Sequence, residues 1–116
     1  MDESLTFEEY MTAAMRTFTR KPGEELSAAL NAACFALGLA GESGEVADLI
    51  KKGIGHGHDV PLDKLTSELG DVLWYVAAVA KCYGLTLEEV AAYNVAKLRK
   101  RYPDGFSHEA SRARSA

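Results

Sequence analysis

Phe35-Ala36-Leu37-Gly38-Leu39-Ala40-Gly41-Glu42-Ser43-Gly44-Glu45-Val46-Ala47-Asp48-Leu49 is the stretch on which the fold turns. Phe35, Leu39, Glu42, Val46 and Leu49 follow one another at steps of four, three, four and three. That is the period of one helix face and not of a strand. Glu42 stands in the middle of this apolar seam. A carboxylate in such a place is costly unless it is neutralised, paired or bound to a cation. Glu45, three residues on, points to nearly the same side.

The next helical stretch repeats the arrangement. Glu68 and Asp71 precede Val72-Leu73-Trp74-Tyr75-Val76-Ala77-Ala78-Val79-Ala80, nine residues without a charge. A helix apolar all round is a buried one. Leu65, Leu69, Val72, Val76, Val79 and Tyr83 form one stripe of it, and Glu68, Asp71, Tyr75, Ala78 and Cys82 border that stripe on a second face. Two acidic pairs on consecutive helices, each touching an apolar seam, point to a cation between them. Hard carboxylate oxygens with no neighbouring Cys or His suit Mg²⁺, with Mn²⁺ as a substitute. Mg²⁺ commonly shares its shell with substrate phosphates, so the expected ligand is phosphorylated.

A further helix supplies the opposite charge. Leu87, Val90, Ala91 and Leu98 define its expected buried stripe, with Asn94 inside it and Lys97 and Arg101 along its edge. Lysine and arginine here are candidate phosphate contacts, and a buried amide needs a partner. Thr86 with Glu89 opens this helix as a capping box, and Pro103 closes it by disfavouring helix at Tyr102.

Upstream, Phe7, Tyr10, Met11, Ala14 and Phe18 make the apolar face of a first helix, opened by the Thr6–Glu9 capping box and stopped at Lys21-Pro22-Gly23. The second helix is expected from about Glu24 to Lys52, capped by Gly53. Its last lysines, Lys51 and Lys52, suit the negative end of the dipole and could also reach a phosphate. Gly53 to Asp59 reads as a loop. His56 and His58 flank Gly57 there as a pair that could hold a transition metal or contact a base. The third helix follows Pro61 and stops at Gly84. Residues 104–116 read as a loose tail, leaving one domain over 1–103. Trp74 is expected in packing or against a base.

Composition agrees with a single helical domain. The chain has 116 residues, 47% of them hydrophobic and 26% charged, and a net charge of −4. An acidic chain is a poor binder of nucleic-acid backbone. The charge is uneven, with six basic against two acidic residues over 97–116. Cys34 and Cys82 form no CxxC pair and read as small core residues of a reduced protein. The acidic start, MDESLTFEEY, lacks an apolar leader core, and the longest strongly apolar run is far short of the ~20 residues a membrane span needs. A cytoplasmic protein with no membrane partner is expected.

Three segments carry a resemblance: Gly38-Leu39-Ala40-Gly41-Glu42-Ser43-Gly44-Glu45-Val46, Glu68-Leu69-Gly70-Asp71-Val72-Leu73-Trp74-Tyr75, and Asn94-Val95-Ala96-Lys97-Leu98-Arg99-Lys100-Arg101-Tyr102-Pro103. Together, over roughly residues 24–106, they resemble the MazG-like nucleoside triphosphate pyrophosphohydrolases of the all-α NTP pyrophosphatase superfamily. The resemblance implies an all-α, four-helix bundle-like fold assembled into a dimer or tetramer. It also implies Mg²⁺-dependent hydrolysis of a nucleoside triphosphate to monophosphate and pyrophosphate, as house-cleaning of the nucleotide pool. By position, Glu42, Glu45, Glu68 and Asp71 correspond to metal ligands, Asn94 and Lys97 to phosphate contacts, and Tyr75 to a residue facing the nucleotide. Glu45 is the choice for orienting the attacking water, and Arg101 joins Lys97 at the leaving pyrophosphate. Many relatives carry a further Glu where this chain has Gly41, which leaves the number of metals open. A phosphoribosyl-ATP pyrophosphohydrolase, a dUTPase-type enzyme and a non-catalytic helical module remain alternatives.

Overall fold

A computed structural model describes residues 4–18, 28–57 and 59–113. The stop at Lys21-Pro22-Gly23, the start of the second helix near Glu24, and His58 lie outside the described residues. Those residues form helices α1 (Phe7–Ala14), α2 (Ala28–Gly55), α3 (Leu62–Cys82), α4 (Leu87–Arg101) and α5 (His108–Arg112), with a 3₁₀ turn at Met15–Thr17. None is part of a strand, so the chain is all-α as its periodicity predicts. No helix among them is long and apolar enough to cross a membrane.

The caps set the boundaries. Thr6 and Thr86 each accept from the backbone N–H of the glutamate three residues on, at 3.1 Å in both cases. Those glutamates reach back to the threonine N–H, completing both capping boxes. At the far end of α3, Leu85 N–H donates to the Ala80 carbonyl and Gly84 N–H to that of Lys81. This is a Schellman closure, and Gly84 has the φ of 70° that it requires.

α2 differs from expectation at its end. It continues past Gly53 to Gly55, with His56 N–H still bonded to the Lys52 carbonyl at 3.0 Å. The left-handed residue that ends it is Gly57, with φ 70°. Each interior glycine costs a helix about 1 kcal/mol, yet extending an existing long helix needs no new nucleus. Where a loose tail is expected, Ser107 caps the short α5 by accepting from Ala110 N–H at 3.0 Å.

α2 and α3 form the most extensive helix pair among the described residues, and the most deeply buried side chains of the two helices are small. Ala77 and Ala78 are fully buried, and Ala32 and Ala80 nearly so. Ala78 is buried between half-buried Tyr75 and Cys82 on one side of α3, and of the expected core stripe Leu65, Val72, Val76 and Val79 are half-buried, whereas Leu69 and Tyr83 are exposed. In a helix uncharged all round, periodicity does not say which face the neighbour takes, and alanines permit the closest approach. The cysteines are not core residues either, since Cys34 is exposed and Cys82 only half-buried.

α1 meets the start of α4, where Leu87 N–H lies 3.2 Å from Met11 Sδ. Beyond Leu87, α4 departs from expectation: Val90, Asn94 and Leu98 are exposed and Ala91 is half-buried. Among the described residues, apolar positions chosen for burial on α4 are thus left exposed, Val90 and Leu98 with them.

Candidate active site

The α2–α3 pairing brings carboxylates together. Glu42 on α2 and Glu68 and Asp71 on α3 each place an oxygen within 4.8 Å of the others, with both glutamates half-buried and Asp71 exposed. Glu42 sits on the same stripe as Phe35, Leu39, Val46 and Leu49, all half-buried. The seam that makes the helix pair thereby delivers the carboxylate to its partners.

This proximity is repulsive. The Glu42 carboxyl is raised above its ordinary value by partial desolvation first, then by the charges of Asp71, Glu68 and Glu45, and by a hydrogen bond with Glu68 that only protonated Glu42 can donate. A divalent cation would relieve all of these at once, and an all-oxygen donor set suits a hard one. Glu45 stands one turn along α2, exposed and outside the 4.8 Å group, though its charge acts on Glu42.

Beside the carboxylates is an open cleft of about 250 Å³ lined by Glu42, Asp71, Trp74 and Tyr75. Tyr75 meets Trp74 edge to face, with centroids 5.1 Å apart at 83°, and Phe35 packs against both rings. Tyr75 reaches this position because α2 has no side chain at Gly38. A Cβ there would lie 2.6 Å from Tyr75 Cζ, inside the ring's contact distance.

The expected phosphate contacts are elsewhere. Lys97 and Arg101 line a second cleft of about 720 Å³, together with Lys100, Ser107, Glu109, Ala110 and Ala113. Asn94 is exposed on α4 rather than buried in a stripe. Lys52 is engaged by Asp48 at 2.8 Å, as an exposed pair one turn apart. The pairing raises the lysine and lowers the aspartate. Lys51 and His56 are exposed at the same end of α2.

Sequence patterning did not show that the N-terminal segment reaches the cleft. The Trp74 indole N–H donates to the Ala14 carbonyl at 3.1 Å and to Thr17 Oγ1 at 2.9 Å. Phe18 stacks on Phe35 at 4.9 Å. The Tyr10 hydroxyl is raised by burial and then by the charge of Asp71. The available signal was the Tyr10–Ala14–Phe18 face, which periodicity marks as inward without naming what it covers.

An all-α chain with an acidic cluster between two packed helices and a basic cleft on a third is the class these elements define. The family model described as the MazG nucleotide pyrophosphohydrolase domain matches residues 32–106, which include the carboxylates, the cleft and α4. The chain belongs to this MazG family. It is similar to the Gene 37 protein of Mycobacterium phage L5, with 40% identity over 73 residues. The match takes in 60% of this chain and 64% of that protein, so just under two thirds of the relative's length is spanned. No solved structure matches the chain.

Proposed function

We propose that this chain is a Mg²⁺-dependent nucleoside triphosphate pyrophosphohydrolase, releasing monophosphate and pyrophosphate in the service of nucleotide house-cleaning. The observation that carries the reading is the Glu42–Glu68–Asp71 group, whose oxygens lie within 4.8 Å of one another inside the family-matched segment.

Glu42, Glu68 and Asp71 would hold Mg²⁺. The ion's chemistry is to neutralise phosphate charge and make bound water more acidic. Glu45, one turn from Glu42 and open to solvent, orients the attacking water and takes its proton. The bond between the α-phosphate and its bridging oxygen breaks as the water oxygen bonds to phosphorus, and the bridging oxygen leaves with pyrophosphate. Lys97 and Arg101 bind the leaving charge, Asn94 donates to a phosphate oxygen, and Tyr75 faces the nucleoside. A cleft of about 250 Å³ is small for a nucleotide by the usual range of roughly 300–1,000 Å³. Assembly into a homodimer or homotetramer, supported by the exposed apolar side chains Val90, Tyr93, Val95 and Leu98 on α4, would enlarge it and cover that face.

The test is pyrophosphate release from a panel of nucleoside triphosphates, phosphoribosyl-ATP and dUTP included, with Mg²⁺ and with chelator. Turnover that chelator abolishes is expected, and the preferred substrate separates the family's branches. No turnover of any member, or turnover indifferent to chelator, defeats the reading.

A further inference from the structure

Trp74 is the chain's single tryptophan. Its ring lines the carboxylate cleft while its N–H points away, to the end of the N-terminal helix. The acceptors there are arranged in a closed set. Thr17 donates its own hydroxyl proton to the Ala14 carbonyl at 2.7 Å. With that proton committed, a lone pair of Oγ1 is free for the indole N–H, which the Ala14 carbonyl also receives. The ring is held on its other sides by Tyr75 edge to face and by Phe35 at 5.7 Å, and Phe35 is backed by Phe18.

This anchoring comes from outside the matched segment, since Ala14, Thr17 and Phe18 all precede residue 32. A hydrogen-bonded indole has one orientation where an unanchored ring on a half-exposed helix face would have several. The cost of fixing it is therefore already met before a ligand arrives, which is how preorganisation raises affinity. The charge of Asp71 acting on Tyr10 is a second sign that α1 lies beside the cleft.

We propose that Thr17 is a positioning residue of the nucleotide site: together with the Ala14 carbonyl it fixes the Trp74 ring as the aromatic wall against which the nucleobase packs. The proposal rests on the reading of this cleft as a nucleotide site, and not on turnover.

The test uses the full chain and its Thr17→Val and Thr17→Ser variants. Trp74 emission is followed while Mn²⁺ alone, and then Mn²⁺ with a nucleoside triphosphate carrying a non-hydrolysable α,β linkage, is added. Thr17→Val keeps the shape and removes the hydroxyl acceptor, leaving the indole N–H the Ala14 carbonyl alone. It is expected to shift the emission in the free protein and to weaken nucleotide binding by about three- to tenfold, the worth of one net hydrogen bond. Affinity for Mn²⁺ alone stays unchanged, KM rises with kcat preserved, and Thr17→Ser restores wild-type behaviour. Equal nucleotide affinity in Thr17→Val and wild type overturns the proposal, as does a parallel loss of Mn²⁺ affinity or a failure of serine to rescue. Should Thr17→Val not fold, Trp74→Phe, which keeps a ring and lacks the N–H, must weaken nucleotide binding by calorimetry; wild-type affinity there overturns it too. A wild-type protein that binds the analogue but turns over no triphosphate defeats the hydrolase reading alone. A wild type that hydrolyses nucleotides without any change in Trp74 emission on binding defeats this proposal alone.

Discussion

The α2–α3 pair and α4 carry the same kind of sequence signal, an apolar stripe interrupted by polar residues, and the fold treats them differently. On α2 and α3 most of the stripe is half-buried, and the acidic residues that interrupt or border it, Glu42, Glu68 and Asp71, come together. On α4 only Leu87 is buried, and the residues that interrupt the stripe, Asn94 and Lys97, stay exposed. A polar residue in an apolar seam is under electrostatic stress only where the seam has closed. One copy of the chain thus holds a stressed anionic group and a relaxed cationic one, lining separate clefts.

The largest effect should follow from breaking the acidic side. Glu42→Gln or Asp71→Asn should lower turnover by about a hundredfold or more, the several kcal/mol that a metal's charge contributes to the transition state. Circular dichroism and sedimentation should show helix content and assembly unchanged, because removing one of several like charges relieves repulsion. Wild-type activity in either variant would detach the carboxylates from the chemistry. On the basic side, Lys97→Ala combined with Arg101→Ala should raise KM by about tenfold at low salt, with the gap narrowing as salt is added. A KM insensitive to both substitutions would make the second cleft irrelevant to the substrate.

The covered seam itself is tested by Gly38→Ala. The added methyl meets the Tyr75 ring, which must shift to make room for it. Overpacking of this kind costs about 1–3 kcal/mol, against which alanine regains about 1 kcal/mol of helix propensity over glycine, so the thermal midpoint should fall by a few degrees. An unchanged midpoint would mean that Tyr75 moves freely.

A smaller effect is the pH dependence of the metal-free protein. Because Glu42 is raised, the folded chain binds more protons than the unfolded one just above the ordinary glutamate range. Stability without metal should therefore fall as pH rises through that window, and Mg²⁺ should cancel the fall by taking the proton's place. Thermal midpoints measured across it with chelator and with Mg²⁺ check the sign, and Glu42→Gln should flatten the chelator curve.

Much of this was legible in the residues. The four-and-three spacing around Glu42 locates both the helix and the carboxylate within it. The Thr6–Glu9 and Thr86–Glu89 spacings mark two helix starts that the structure keeps. What periodicity lacks is knowledge of neighbours. It marks Leu87, Val90 and Leu98 as a face without saying whether the same chain covers it, and it cannot choose the inward side of a helix uncharged all round. Contacts distant in sequence, such as Trp74 with Ala14 and Thr17, leave no local trace. The extension of α2 through Gly53 and Gly55 was hidden for the converse reason, that a local glycine signal was overruled by a long helix already formed.

The proposed divalent-metal site is built by three carboxylates from two helices, Glu42, Glu68 and Asp71. Titration of the chelator-treated wild-type chain with Mn²⁺, followed by paramagnetic resonance, tests it most directly. Saturable Mn²⁺ binding that Mg²⁺ displaces and that Glu42→Gln loses is the expected result; a wild type that leaves Mn²⁺ free, or a Glu42→Gln variant that binds it equally well, would contradict the account.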